Sequence, residues 1–331
     1  MTLSGEHLEA HRAGLRTPPH FVIIGAAKSA STWLHLVLRQ HPSVYMPGSE
    51  SVFFEDPYYN EHDLRPLQEK LDPAPLDTVV GIKCPNYLCT PECAPRLANH
   101  LPHARLIAIL RNPVDRAISQ YYHLIRSGRL PVVSADIAFS RYLAGHFDPP
   151  YAQQLVMGFG LYAKGIANFR RFFPVQQMLV QTDLDLHAGS LEVFKRVCRF
   201  LEIDENFVPM GFSMPRNQGV YFSPFLSFVQ AMSHVGHSYD HATGLVTVRG
   251  GFLGWGARRL ALLGSRVSAA TRILLHEQEP AVSSKTRMGL LQFYLPDIIK
   301  LEAMTSLDLS PWKVVREPSR RLSESDATHV P

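Results

Sequence analysis

Residues able to bind an anion follow the apolar run FVIIG at positions 21–25. Gly25 permits a sharp turn after a strand, and the next residues, AAKSAST, lead into a helix-like pattern. The backbone amides of residues 29–33 can therefore point into a concavity at a helix N-terminus, where the partial positive charge of the helix favours phosphate. These residue types in this order predict a phosphate-binding loop.

The position of Lys28 distinguishes this loop from that of nucleotide triphosphatases. Their loop reads G-x-x-x-x-G-K-[ST], with the lysine directly before the last hydroxyl residue. Here Ala30 stands at the second glycine and Ser31 at the lysine. A kinase or ATPase is therefore disfavoured. On these residues alone, a strand-to-helix turn without a ligand remains the alternative.

Three further residues with suitable chemistry stand at or just after predicted strands. Arg111 ends a strand beside a helix N-terminus, where a guanidinium can make paired hydrogen bonds to phosphate. Glu50 follows a short strand and could accept a proton, and Lys83 ends another strand. Each also has a simpler interpretation: a surface salt bridge for Arg111, a solvated loop position for Glu50, and contact with solvent for Lys83.

Five short apolar runs predict the strands that would position these residues. They are FVIIG (21–25), SVYMP (43–47), VVGIK (79–83), RLIAIL (105–110) and QMLVQ (177–181). Helical patterns such as STWLHLVLRQ and SLEVFKRVCRFL lie between them. Continuous apolar strands that alternate with helices indicate a parallel sheet covered on both faces. The predicted fold class is α/β, a single P-loop-like domain with a central parallel β-sheet flanked by helices on both faces.

The helix after RLIAIL has clear start and stop signals. Asn112 is a favourable N-cap, Pro113 suits the first helical position, and Gly128 predicts the end. Ser119 falls on the polar side of this helix, two turns from the cap. It could therefore face a ligand bound near the cap, or simply lie on a solvated helix face.

The composition is that of a globular protein with a sizeable core. The 331 residues are 46% hydrophobic, and the net charge of +4 is too small to indicate nucleic acid. No run reaches the roughly 20 apolar residues of a membrane span, and residues 1–20 lack a signal-peptide core. We therefore expect a cytoplasmic protein. Cys84, Cys89 and Cys93 cluster, but their spacing matches no usual zinc pattern, so we expect reduced thiols and no metal.

Three motifs together resemble the sulfotransferase superfamily that uses 3′-phosphoadenosine 5′-phosphosulfate (PAPS). They are GAAKSASTWLHLVLRQHPSVYMPGSESVFF, GIKCPNYL and LRNPVDRAISQYYH. The resemblance is closest to the heparan-sulfate-type and bacterial branches. Further similarity in GLYAKGIANFRRFFP, RNQGVYF and KLEAMTSLDLSPW extends it over about residues 20–222 and 285–313.

The resemblance implies metal-independent transfer of the sulfonate of PAPS to a hydroxyl, which leaves 3′-phosphoadenosine 5′-phosphate (PAP). The acceptor would be a carbohydrate, a lipid or a secondary metabolite. Lys28 would bind the 5′-phosphate and the bridging oxygen next to the sulfonate, and Arg111 and Ser119 would bind the 3′-phosphate. The phosphate cradle would consist of Ser29, Ala30, Ser31, Thr32 and Trp33.

The catalytic residues implied by the resemblance are Glu50, Lys28 and Lys83. Glu50 matches the glutamate that acts as base on the acceptor hydroxyl in heparan-sulfate-type relatives, whereas other branches use a histidine. Lys83 matches a lysine near the acceptor and the sulfonate. Tyr162 matches a family tyrosine and could equally serve packing. The neighbouring Phe53–Phe54 pair would be core or acceptor-wall residues.

The sequence departs from the family pattern at two places. Ala30 replaces a glycine that is common in the loop, which is acceptable only if this position does not need a positive φ. A Gly-Arg element that closes over the 3′-phosphate in heparan-sulfate-type relatives has no counterpart in HEQEPAVSSK (276–285). Arg216, Lys285 or Arg287 could take its role, with Arg216 our first choice.

The expected organisation is a tail (1–19), a sulfotransferase domain (20–313) and a second tail (314–331). Within the domain, residues 223–284 form a variable helical insertion and the expected acceptor region. Its segment 250–276 mixes large apolar residues with arginines. The pattern favours helices packed over the sheet with basic outer faces; the alternative is an amphipathic helix in weak membrane contact. A nucleotide kinase and a catalytically silent PAPS- or PAP-binding protein are the alternative functions.

Overall fold

The computed structural model describes residue 15 and residues 18–210, 223–240, 245–275 and 282–315. These residues pack as two compact units. The first unit contains the described parts of 1–120, 154–218 and 297–307, and the second those of 121–153, 219–296 and 308–331. The domain boundaries given above, including the two tails and the 223–284 insertion, stay a prediction.

A five-stranded parallel sheet forms the centre of the first unit. Its strands are β1 (Phe21–Gly25), β2 (Val44–Tyr45), β3 (Val79–Lys83), β4 (Arg105–Leu110) and β5 (Met178–Thr182). They lie in the order β2-β3-β1-β4-β5, and each pairing is parallel. The five predicted strands and the α/β fold class are confirmed.

Ten α-helices are found in the described residues. They are α1 (Ser31–Leu38), α2 (Arg65–Leu71), α3 (Cys93–His100), α4 (Pro113–Arg126), α5 (Ala135–Leu143), α6 (Tyr162–Phe169), α7 (Asp183–Leu201), α8 (Ser223–Gly236), α9 (Gly251–Leu275) and α10 (Ser284–Thr305). Gly189 interrupts α7 with an extended backbone conformation. The regular second part of α7 therefore starts at Ser190, as the sequence predicts.

The strands are apolar along their whole length because both faces of the sheet are covered. Phe21 and Ile23 on β1 belong to the same buried cluster as Ile107 on β4, Trp33 on α1 and Phe194 on α7. Burial of such side chains stabilises the fold by roughly 1.5–3 kcal/mol each. This packing fixes the ends of β1 and β4, where the predicted site residues begin.

The strand order places a topological switch point at the carboxyl end of β1. β2 and β3 lie on one side of β1, whereas β4 and β5 lie on the other. In open parallel sheets, ligands bind in the crevice at such a point, because neighbouring loops diverge there. Lys28, Lys83 and Arg111 all lie at or just beyond the carboxyl ends of the three central strands.

Helix α4 begins and ends where the sequence predicts. The N–H of Val114 donates to Asn112 Oδ1 at 2.9 Å, which is the expected N-cap bond. Gly128 follows the last turn with a φ of 75°, a conformation that glycine adopts without strain. Ser119 lies half-buried on the polar side. The buried apolar residues of α4 include Val114, Ala117, Ile118, Tyr121, Leu124 and Ile125.

The second unit contains a small antiparallel hairpin, β6 (His237–Tyr239) and β7 (Val246–Val248), between α8 and α9. The hydroxyl of Tyr239 donates to the carbonyl of Ser127 at 2.9 Å. The hydroxyl of Ser283, just before α10, donates to Asp136 of α5 at 2.7 Å. These polar contacts fasten the hairpin and the start of α10 within this unit.

Candidate active site

A tight turn between β1 and α1 holds the predicted phosphate cradle. Lys28 has a φ of 67° and Ala30 a φ of 65°, so both residues adopt the left-handed conformation. Ala30 is also the N-cap of α1. Alanine was acceptable here only if the position avoids positive φ, and that condition is not met. The turn forces Ala30 into a conformation that costs about 1–2 kcal/mol for a residue with a Cβ atom.

The N-terminus of α1 offers hydrogen-bond donors. No side chain of the described residues caps this end of the helix, and the first amides of any helix lack intrahelical acceptors. The side chain of Ser29 is buried, and its hydroxyl has no hydrogen-bond partner in the part of the chain that the structure describes. Buried polar groups are normally hydrogen-bonded. The turn can therefore accommodate an anionic ligand that accepts these bonds.

The Lys83 ammonium lies between this turn and the predicted base. Its Nζ is 2.9 Å from Glu50 Oε1 and donates to the hydroxyl of Thr32 at 3.3 Å. The Lys83 side chain is 3% exposed, whereas that of Glu50 is 45% exposed. A buried ammonium needs such partners because its removal from water is costly. The structure thus brings together three of the predicted residues, with the carboxylate on the solvent side.

Backbone contacts hold Glu50 beside β3. The N–H of Ser51 donates to the carbonyl of Lys83 at 2.9 Å, and the Lys70 ammonium donates to the carbonyl of Glu50 at 2.8 Å. The hydroxyl of the buried Tyr87 donates to the carbonyl of Ser51. The carboxylate of Glu50 is therefore positioned by its own peptide groups as well as by Lys83.

Two titratable neighbours have shifted pKa values. Burial raises the pKa of Glu55, against the effect of its side-chain hydrogen bonds to Asn86 and Cys84. Burial lowers the pKa of His35, and the nearby Lys83 ammonium lowers it further. His35 Nε2 is 2.8 Å from the carbonyl of Pro47, a contact that requires the proton on Nε2. His35 is therefore a neutral donor that supports the loop before Glu50.

The aromatic pair after Glu50 belongs to the core. Phe53 and Phe54 are both buried, and the Arg96 guanidinium donates to the carbonyl of Phe54 at 2.9 Å. The same guanidinium lies 4.4 Å from the ring centroid of Tyr59 and pairs with Asp56 at 2.9 Å. Of the two roles open to the pair, the structure supports the core role.

Arg111 follows β4, and its side chain is half-buried. Among the described residues, no group forms a hydrogen bond or ion pair with its guanidinium. The surface salt bridge that was the alternative role for Arg111 is therefore not found in this part of the chain. A half-buried guanidinium beside the N-terminus of α4 is suited to bind a phosphate.

Tyr162 contributes both packing and a hydrogen bond. Its side chain is buried, and its hydroxyl donates to the carbonyl of Arg111 at 2.9 Å. Tyr162 begins α6, where Asp297 Oδ2 accepts from the N–H of Ala163 at 3.0 Å. Burial raises the pKa of Asp297, against the effect of its bonds to backbone amides. Asp297 is far from α6 in sequence, and no local motif indicates its role.

The clustered cysteines are separate thiols. Cys93 Sγ donates to the carbonyl of Phe54 at 3.3 Å, and Cys89 Sγ to that of Phe159 at 3.4 Å. Burial raises the pKa of Cys89 to about 12 and that of Cys84 well above its ordinary value. Within the described ranges, no group of three or more metal-ligating side chains comes together.

The residues proposed to close over the 3′-phosphate are less defined. Arg216 lies outside the described residues. Lys285 and Arg287 lie in the first turn of α10, in the second unit. Their roles stay predictions.

Comparisons with known proteins agree with this geometry. A model of the sulfotransferase domain family matches residues 18–210. The heparan sulfate glucosamine 3-O-sulfotransferase 3B1 of Mus musculus is 30% identical over 212 residues, which are 62% of this chain and 52% of that protein. The heparan sulfate glucosamine 3-O-sulfotransferase 6 of the same organism is 35% identical over 190 residues, 57% of this chain and 53% of that protein. The chain spans about half the length of these curated relatives.

A sulfotransferase from Alicyclobacillus acidocaldarius has a similar fold. It superposes with a TM-score of 0.62 at 24% identity, over 90% of this chain and 100% of that chain. The region matched by the family model is more than half of the chain. It contains β1–β5 and every predicted site residue except Arg216 and its alternatives Lys285 and Arg287. The chain belongs to the sulfotransferase domain family.

Proposed function

We propose that this protein transfers the sulfonate of PAPS to a hydroxyl of an acceptor molecule and releases PAP. The observation that carries the proposal is the placement of Lys83. Its ammonium contacts Glu50 at 2.9 Å and the hydroxyl of Thr32 at 3.3 Å. One buried cation therefore joins a solvent-accessible carboxylate to the anion-binding turn. Sulfonate transfer needs a base and a phosphate-binding site next to each other.

The donor side of the site suits a nucleotide with phosphates at two positions. The start of α1 and the buried Ser29 hydroxyl provide donors for the 5′-phosphosulfate. Arg111, with Ser119 on the polar side of α4, would bind the 3′-phosphate. The hydrogen bond from Tyr162 to the Arg111 carbonyl would fix the backbone that carries the guanidinium.

When bound, PAPS supplies the sulfonate and the PAP leaving group. Glu50 would take the proton of the acceptor hydroxyl while the hydroxyl oxygen forms its bond to sulfur and the bond from sulfur to the phosphate oxygen breaks. Lys83 and Lys28 would stabilise the negative charge on the transferring group and on the phosphate. Positioning and charge stabilisation dominate in the related phosphoryl transfers.

The acceptor class is part of the proposal. The curated relatives named above are sulfotransferases of heparan sulfate, which favours a carbohydrate acceptor. Lipid and secondary-metabolite hydroxyls remain in the proposed range because the chain matches only about half of each relative. A cytoplasmic location stays a prediction from residues 1–20.

The first test is calorimetric titration of the full chain with PAP in buffer containing a metal chelator. We expect a dissociation constant of tens of micromolar or tighter, and weaker binding by the Arg111→Gln variant. The Arg199→Gln variant is the control, because Arg199 pairs with Glu205 on the surface of the first unit. Absence of PAP binding would overturn the proposal. Binding of PAP without transfer of radiolabelled sulfonate to any of a panel of carbohydrate, lipid and phenolic acceptors would favour a silent binding protein.

A further inference from the structure

Helix α9 has small residues on its buried side. In its first fourteen residues the buried positions are Gly254, Ala257, Ala261 and Gly264. Their spacing of three and four residues places them along one face of the helix. This face packs closely within the second unit: a Cβ atom at Gly264 would lie 3.0 Å from Val229 of α8.

The opposite side of α9 carries large apolar side chains that are exposed. Phe252 is 82% exposed, Leu253 81% and Trp255 50%. The exposed leucines that complete this outer face are Leu260, Leu262 and Leu263. At about 100° per residue, these positions cover roughly half of the helix circumference. The arrangement reverses the usual pattern of a soluble helix and matches helices in lipid, where small residues form the helix contacts.

The charge of this segment has one sign. Residues 241–276 contain five arginines and no aspartate, glutamate or lysine. Arg259 is the charged residue within the outer face, and its guanidinium lies 5.0 Å from the ring centroid of Trp255. Trp255 in turn stacks on Phe252 with a centroid distance of 6.0 Å. Tryptophan and arginine beside apolar residues are typical of helices that lie in the headgroup region of a membrane.

We propose that the outer face of α9 docks parallel to the surface of an anionic lipid bilayer. Phe252, Leu253 and Leu263 would enter the boundary between headgroups and acyl chains, and Arg249 and Arg259 would contact lipid phosphates. None of the described helices combines the length and the apolar character needed to cross a bilayer. The proposal is therefore an interfacial contact, and it does not depend on the proposed sulfonate transfer.

A second copy of this chain suits the face less well. In a two-fold symmetric contact, the same patch from each copy meets, so the arginines of both copies would face one another. The sequence from 241 to 276 provides no carboxylate to pair with them. An anionic bilayer compensates these charges and accepts the apolar side chains at the same time.

Tryptophan fluorescence of the full chain provides the test. The protein has three tryptophans; Trp33 and Trp312 are buried, whereas Trp255 is exposed. Vesicles of equal parts phosphatidylcholine and phosphatidylglycerol should shift the emission of Trp255 to the blue, and brominated acyl chains should quench it. The Trp255→Phe variant should lose both signals. Pure phosphatidylcholine, which has no net charge, or high salt should weaken binding, by about fivefold for each arginine that loses its attraction to the anionic surface.

Variants test whether the apolar side chains of α9 contribute to vesicle binding more than an exposed leucine elsewhere does. The Phe252→Ser/Leu263→Ser double variant should bind anionic vesicles at least about tenfold more weakly. The Leu76→Ser variant is the control, because Leu76 is 93% exposed on the first unit; it should bind like the wild type. Unchanged binding by the double variant, or no binding by the wild type, would overturn the proposal. Self-association without lipid that the double variant abolishes would also overturn it and assign the face to a second copy.

Discussion

The first unit buries most of its large apolar side chains around the sheet, whereas α9, over residues 251–264, buries glycine and alanine and exposes its large apolar side chains. Phe54 is fully buried in the first unit, and Phe252 is 82% exposed on α9. The difference shows that one chain can bury its large apolar side chains in one region and expose them in another. The cluster around β1 is already removed from water in the folded chain, whereas the outer face of α9 would be stabilised only by a partner that removes it from water.

The largest expected effect is on activity and concerns Glu50, a charged residue of the first unit. Glu50→Gln removes the proposed base but keeps an oxygen that can accept from Lys83. We expect kcat to fall by about 10²–10⁴-fold, while PAP affinity stays within a few-fold and thermal stability changes little. Glu192→Gln is the control, because Glu192 pairs with Lys195 on the surface of α7 at 3.6 Å. If the Gln variant kept its turnover, the base would have to be reassigned.

The second prediction compares the two burial patterns directly. Phe54→Ala should lower the free energy of unfolding by about 3–5 kcal/mol because it leaves a cavity in the core. Leu263→Ala on the outer face of α9 should change it by no more than about 0.5 kcal/mol. Denaturant titration in the absence of lipid measures both. A large loss for Leu263→Ala would mean that the protein itself already covers the outer face.

The third prediction concerns the buried side of α9. A Cβ atom at Gly254 would lie 2.5 Å from the carbonyl oxygen of Arg249, whereas no described atom lies within 4 Å of one at Gly256. Gly254→Ala should therefore destabilise the protein by about 1–3 kcal/mol. Gly256→Ala should be neutral or stabilising, by up to about 1 kcal/mol. Equal effects in thermal unfolding would contradict the close packing described for this side.

The fourth prediction concerns the backbone of the turn between β1 and α1. Ala30→Gly should raise the free energy of unfolding by about 1 kcal/mol, because glycine adopts a φ of 65° without strain. Ala231→Gly is the control: Ala231 lies exposed on α8, so its replacement should lower stability by about 1 kcal/mol. Changes of opposite sign in the free energy of unfolding of the two variants, measured by chemical denaturation, would support backbone strain at Ala30. A loss of stability in both variants would contradict it.

The smallest expected effect is a pH dependence. Burial holds the pKa of His35 below the ordinary value of 6.5, so the unfolded state binds a proton more readily than the folded state. Stability should therefore be greatest above pH 6.5 and fall as the pH drops toward the folded pKa. His35→Gln should reduce this slope, as measured by unfolding curves across the pH range. His100, whose pKa is also lowered by burial, remains in both proteins and keeps part of the slope.

Much of the first unit could be predicted because local signals agree there. Apolar runs indicated the five strands, and Asn112, Pro113 and Gly128 defined α4. The left-handed conformation of Ala30 could not be predicted, because it is set by the geometry of the turn between β1 and α1. The contact between Glu50 and Lys83 joins residues 33 positions apart, which only the register of β2 and β3 brings together.

The expectation of a basic outer face is wrong for residues 251–264 of α9, for a different reason. Periodicity separates two faces of a helix but does not say which one is buried. The sequence favoured a basic outer face, on the assumption that the leucines lie inside. Gly264 shows why: a Cβ atom there would lie 3.0 Å from Val229 of α8, so the inner face needs small residues for close helix contact. Hydropathy assigns such residues to neither face.

Asp297 has a consequence for the order in which the site can be assembled. It accepts a hydrogen bond from Ala163, 134 residues earlier in the chain, and α6 connects that bond through Tyr162 to Arg111. A growing chain therefore synthesises the whole segment matched by the family model, residues 18–210, before the residue that caps α6. A fragment that ends at residue 210 would carry the proposed base and every predicted phosphate ligand except Arg216 and its alternatives Lys285 and Arg287, yet lack this cap. The shortest fragment with the proposed activity should therefore extend to Asp297 and not end at the family boundary.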